Sequence, residues 1–207
     1  MTIADRSRLQ IIMILPDRLP FTEELFLGLP QMRMLRSLQE VAETNGHSLK
    51  VYSSGCIKGE ERNMTFIHSK LLLVDDLFLT IGSANITNRS MGLDTELNVT
   101  WEAEAGQAGL IASIRAVRAS LLAEHAGMYG RNQEYRFEKI DELVHYLDGL
   151  VDDPDTRLCR YEPEPSLENS SWPDALEPIA RIVDPEEDLY EKFSKQAATA
   201  FARAFEI

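Results

Sequence analysis

The 207-residue chain has two cysteines, Cys56 and Cys159, too few for a disulfide framework, and reads as carrying free thiols in a reducing compartment. It lacks a long hydrophobic run. The longest, Leu9 to Pro16 with only Gln10 breaking it, falls far short of a bilayer span. No secretory leader is expected, because Asp5, Arg6 and Arg8 precede a strand-like stretch with no small-residue cleavage site after it. Basic charge is scarce: 21 Lys and Arg face 34 Asp and Glu, a formal charge of -13. That acidity argues against broad attraction to nucleic acid or anionic lipid, while leaving room for a local basic pocket that holds one phosphate. Internal repeats and low-complexity tracts are also missing. What remains, 44% hydrophobic and 27% charged residues, is the mix of a soluble globular domain large enough to bury a core unaided.

The charge is unevenly spread. Residues 1–150 carry 15 basic and 20 acidic side chains, whereas residues 151–207 carry 6 basic and 14 acidic. Six of the nine prolines fall between Pro154 and Pro185, so this acidic stretch reads as an extended, wrapping segment. Trp172, Leu176 and Ile179 are its expected anchors, and a closing helix follows Pro185. The expected division is therefore a domain over 1–150 and a tail over 151–207 that packs on it.

Within the body, Leu9–Leu15 reads as a buried strand. A helix is expected over 31–45, with Met34, Leu35, Leu38, Val41 and Ala42 on one face and Asn45-Gly46 as its stop. Leu49–Ser53 alternates like a strand, and Thr65–Val74, Leu77–Gly82 and Glu96–Trp101 are three more strand-like runs. Helices are expected over 106–126, its apolar stripe read as core, and over 135–148, with Phe137, Ile140, Leu143, Val144 and Leu147 on one face. The order predicts a layered α/β domain, its mixed β-sheet flanked by helices, because the middle strands are linked too tightly for crossovers.

The chemistry lies in Ile67–Val99. His68 and Lys70, two apart in a strand, point to one face. Asp75-Asp76 suits a tight turn. A two-residue loop would set Lys70 opposite Ile81 and His68 opposite Ser83, so Ser83 and Asn85 join the same patch, with Gly82 allowing close backbone approach. A three- or five-residue loop destroys this parity. An imidazole is a nucleophile or proton donor near neutral pH, an ammonium suits phosphate oxygens, and Ser83 and Asn85 add neutral donors. Together they describe a phosphoryl cradle beside a nitrogen nucleophile. Glu96 is placed to accept from the imidazole Nδ1 and fix its tautomer. His68, Asp75 and Glu96 make an unattractive zinc or manganese set, since the Lys70 ammonium repels a cation. Asp75 reads as a turn residue bonded to local backbone, Asp94 as structural, and Arg89 as either a phosphate ligand or a cover for the rim. His47, His125 and His145 are expected to be structural, His47 facing solvent in its turn.

His68-x-Lys70-x4-Asp75-x6-Gly82-Ser83-x-Asn85 resembles the HKD motif of the phospholipase D superfamily, and Glu96 stands where that family commonly has the acidic partner of a catalytic histidine. The wider phrase GSANITNRSMGLDTELNV is similar to the second HKD motif of bacterial two-motif phospholipase D and cardiolipin-synthase-like enzymes. The resemblance implies a phospholipase D-like half-fold and a metal-independent phosphodiester reaction without cofactor, acting on glycerophospholipids through a phosphohistidine. It implies His68, Lys70, Asp75 and Glu96 as catalytic residues, and Lys70, Ser83 and Asn85 as phosphate ligands. The family uses two HKD motifs, and this sequence has one, since none of the other histidines is followed two residues later by lysine. The expected partners are thus a phospholipid and a second HKD half, from a dimer mate or a missing N-terminal half. No nucleic acid is expected, at most transient contact with a membrane surface, and a cytoplasmic location. The alternatives are a dimeric nuclease-like phosphodiesterase and an isolated half without chemistry of its own.

Overall fold

The computed structural model describes residues 8–17, 29–58 and 61–161. Strand β1 (Gln10–Ile14) is apolar on both faces because both are covered: Ile11 and Met13 pack on one cluster, Ile12 and Ile14 on another. It pairs in parallel with β2 (Ser48–Lys58), Gln10 opposite Ser48 and Ile14 opposite Tyr52. Helix α1 (Leu29–Thr44) lies in the crossover between them and buries Met32, Leu35 and Ala42. Val41, expected on that face, is exposed, since Leu35 and Ala42 already define a stripe one residue out of phase with it. The helix ends as Asn45-Gly46 predicts: Gly46 has φ 72°, and the His47 N–H returns to the Ala42 carbonyl at 2.8 Å.

Strand β2 runs past the expected Leu49–Ser53 and turns back through β3 (Glu61–Met64), Cys56 opposite Asn63. That short strand carries no alternating pattern, so the sequence did not announce it. Strand β7 (Leu158–Arg160), from the start of the expected tail, adds antiparallel to β2 with Cys159 opposite Ser53. The rest of the tail, including Trp172, Leu176, Ile179 and the helix after Pro185, lies outside the described residues.

Strands β4 (Lys70–Val74), β5 (Phe78–Gly82) and β6 (Asn98–Glu102) form a second, antiparallel sheet of their own. Helix α2 (Asn88–Gly92) interrupts the link from β5 to β6. Helix α3 (Ala108–His125) joins the two sheets because it is apolar on two sides. Ile114 packs with Leu79, Leu71 and Leu73 of the hairpin sheet, while Ala119, Leu122 and Ala123 pack with Tyr52 and Leu158 of the other. The helix expected over 135–148 is broken into a 3₁₀ turn, Glu134–Phe137, and helix α4 (Leu143–Val151). The physical cause is Arg118, whose guanidinium donates to the carbonyls of Phe137 (2.6 Å) and Glu138 (3.1 Å), acceptors that a continuous helix needs for itself.

Buried Tyr52 donates to Asp148 at 3.0 Å and ties β2 to α4. Burial, then that carboxylate, pushes the phenol far above its ordinary range. The outcome is the mixed α/β layering that the sequence predicts, with its strands split between two sheets. Among the described residues no helix is long and apolar enough to cross a membrane.

Candidate functional site

Asp75 and Asp76 occupy the left-handed region, with φ of 51° and 55°, and the Leu77 N–H donates to the Val74 carbonyl at 2.9 Å. This is the two-residue turn that the sequence suggests. The ladder nevertheless closes one residue later, with Val74 opposite Phe78. Leu77 is an extra residue on β5, because its carbonyl is drawn to the Ala103 N–H at 2.7 Å, in line with β6. The expected register is therefore wrong: Lys70 lies opposite Gly82, not Ile81. His68 also precedes the strand, since residues 65–69 are irregular.

The residues are gathered by another route. At Gly82 a Cβ would collide with the Asn98 side chain and the Leu97 carbonyl, so only glycine lets β6 approach this closely. Just beyond it, the Ser83 N–H donates to the Leu97 carbonyl (3.1 Å) and the Leu97 N–H to Ser83 Oγ (3.0 Å). The Ser83 hydroxyl then gives its proton to Glu96 Oε2 at 2.5 Å. Thr87 caps α2 by accepting the Ser90 N–H at 3.2 Å, which seats the buried Ser90 hydroxyl between two partners. That hydroxyl accepts from the Asn85 N–H (3.1 Å) and donates to Glu96 Oε1.

The hydrogen bond from Ser83, then that from Ser90, holds the Glu96 carboxyl below its ordinary range, with a smaller contribution from the Lys70 charge. Lys70 Nζ donates to the His68 carbonyl at 2.8 Å. The exposed His68 ring stacks on Phe66, with centroids 6.0 Å apart.

Lys70, Ser83, Asn85 and Glu96 thus share one end of the hairpin sheet, with His68 joined through its carbonyl. Two details differ from expectation. The two Glu96 oxygens accept from Ser83 and Ser90, and no hydrogen bond joins this carboxylate to the His68 imidazole. The single Ser83 proton is also committed to Glu96, whereas the Lys70 ammonium gives one of its three protons to the His68 carbonyl and keeps two. Asp75 does not join them. It is exposed at the far end of β4, roughly 16 Å of strand away.

Its neighbour Asp76 is only 2% exposed and accepts from Arg118 Nε (2.6 Å), Arg118 Nη2 (2.9 Å) and Arg115 Nε (3.1 Å). Arg89 donates from Nε to both Asp94 oxygens, at 2.9 and 3.0 Å. His47 is buried, not solvent-facing, and its Nδ1 accepts the Leu9 N–H at 3.1 Å. His125 is lowered by burial, and His145 is exposed on α4. Ser90 and the Asp76–Arg118 pair were missed in the sequence. The spacing Thr87-x-x-Ser90, a cap followed by its first-turn partner, was the available signal for the former.

The chain matches the family model described as cardiolipin synthase, PLD-like domain, over residues 2–116, more than half its length. It belongs to the phospholipase D superfamily. Phospholipase D alpha 2 of Oryza sativa subsp. japonica is 40% identical over 77 residues, covering 34% of this chain and 9% of that protein. Phospholipase D alpha 4 of Arabidopsis thaliana is 42% identical over 69 residues, 32% of this chain and 9% of that protein. Phospholipase D alpha 1 of Nicotiana tabacum is 31% identical over 112 residues, 48% of this chain and 13% of that protein. The chain spans about a tenth of the length of these curated relatives.

Proposed function

We propose that this chain supplies one half of a phospholipase D-type site, a phosphodiesterase or phosphatidyl transferase acting on glycerophospholipids. The observation that carries this reading is the grouping of Lys70, Ser83, Asn85 and Glu96 on one exposed end of the hairpin sheet beside His68, in a chain of this superfamily. In the first step an imidazole nitrogen of His68 attacks phosphorus. The P–N bond forms, the bond to the head-group oxygen breaks, and a second histidine protonates the departing alcohol. In the second step water or another alcohol attacks phosphorus and gives its proton to that second histidine, and the P–N bond breaks. The Lys70 ammonium and the Asn85 amide bind the phosphoryl oxygens, and the Glu96 charge balances the cations around them. The reading gives Asp75 no chemical step.

The second histidine comes from elsewhere, a dimer mate or another HKD-bearing half. The face of the hairpin sheet turned away from α3 favours this. It carries Lys70 together with Leu72 and Val74, which are 52% and 45% exposed, an apolar stripe that runs from the site and suits a protein partner. The test is head-group release from phosphatidylcholine and phosphatidylglycerol vesicles, with the associated protein and with its His68→Asn variant. Release by the wild type and its loss in the variant are expected. Equal rates would end the proposal.

A further inference from the structure

We infer that Ser90 is a positioning residue of the candidate site, holding the Glu96 carboxylate and the Asn85 main chain in one fixed relation. The inference rests on the reading above, but its first measurement needs no turnover. A hydroxyl has one proton to give, and Ser90 gives it to Glu96 Oε1 while accepting the Asn85 N–H at 3.1 Å. It is therefore aligned from both sides. Its own N–H is anchored on Thr87 Oγ1 at 3.2 Å, so the start of α2 sets where the hydroxyl sits.

The other carboxylate oxygen takes the Ser83 proton, and Ser83 Oγ takes the Leu97 N–H at 3.0 Å. Two serines thus clamp one carboxylate, and through it the segment carrying Ser83 and Asn85 meets the segment carrying Glu96. The two clamps are not equivalent. Without the Ser83 hydroxyl, those segments stay joined by the main-chain bond from Ser83 to Leu97. Without the Ser90 hydroxyl, the Asn85 N–H and one Glu96 oxygen lose their partner together. Ser90 lies outside the HKD spacing, and it is buried where Ser83 and Asn85 are exposed, so its hydroxyl orients groups that can meet a substrate without meeting one itself.

The experiment uses the 207-residue chain with 13C-labelled glutamate, the Glu96 carboxyl signal being assigned with Glu96→Gln. In Ser90→Ala the Glu96 titration midpoint should move up toward the ordinary carboxylate range, and in Ser90→Thr, which keeps the hydroxyl, it should return. Where the wild type, with its second half, turns over bis(para-nitrophenyl) phosphate, Ser90→Ala should lower kcat about tenfold with KM unchanged, the scale of one hydrogen bond to a charged group. An unmoved midpoint in a Ser90→Ala protein with wild-type circular dichroism overturns the inference, as does a rise that Ser90→Thr fails to reverse. Absence of turnover in the wild type counts against the proposed function alone and leaves the titration result standing.

Discussion

A carboxylate taken out of water at the tip of a hairpin needs cations held in place, and Asp76 has two. Burial alone would raise its pKa, but the hydrogen bonds from Arg118 and Arg115, with their charges, outweigh burial and hold it below the ordinary range. The unfolded carboxyl titrates near about 3.9, above the native value. The unfolded state therefore binds the proton first, and the contribution is complete above that range and lost as pH falls through the native value. Asp76→Asn should cost about 3 kcal/mol at neutral pH, because Arg118 keeps its place without its counter-charge. Thermal unfolding checks this, and the gap between wild type and variant should close progressively in acid. A gap that stays constant from neutral to strongly acid pH would show that the charge is not what stabilises the turn. Asp75, one residue earlier and in the same left-handed conformation, is exposed. Both aspartates suit the turn equally, so nothing in their letters says which one the helix would claim.

The hairpin shows where the sequence was readable as an element and where it was not. Two apolar runs and the turn chemistry between them located β4, β5 and the aspartate pair. The bulge at Leu77 was invisible because it depends on the N–H of Ala103, just past the end of β6. The grouping of His68, Lys70, Ser83 and Asn85 was read through a register that the molecule does not use. The residues still converge because Gly82, read as a close-approach glycine, lets β6 fold over the end of β5. The break before α4 and the burial of His47 were hidden for the same reason as the bulge: each is decided by a distant partner, Arg118 in one case and Leu9 in the other. Gly82→Ala should therefore act on the site through its frame. A Cβ there must displace Leu97 and Asn98, at a cost of about 1–3 kcal/mol. Hydrogen exchange at the Ser83 and Leu97 amides should speed up relative to the rest of the sheet. Unchanged protection at both would mean that the close approach is not what joins β5 to β6.

At the scale of the whole molecule, charge and apolar surface pull in opposite directions. Two copies carrying -13 each repel at long range, so an association held by buried hydrocarbon should tighten as salt screens the charge. On the proposed association, the exposed Leu72 and Val74 belong to the surface that a second copy would cover. Sedimentation equilibrium at about 0.01 M and about 0.1 M salt, where the screening length falls from about 30 to about 10 Å, should show weaker association in the first and stronger in the second. Leu72→Glu combined with Val74→Glu should leave a monomer at both. Thermal stability should change by less than about 1 kcal/mol, since both side chains already face water. If the second histidine comes from a like copy, one of the two sources proposed, the same double variant should also lose phosphodiesterase turnover while its own Lys70, Ser83 and Glu96 stay in place. A monomer that turns over at the wild-type rate would overturn a site shared between two copies, for one histidine would then be enough.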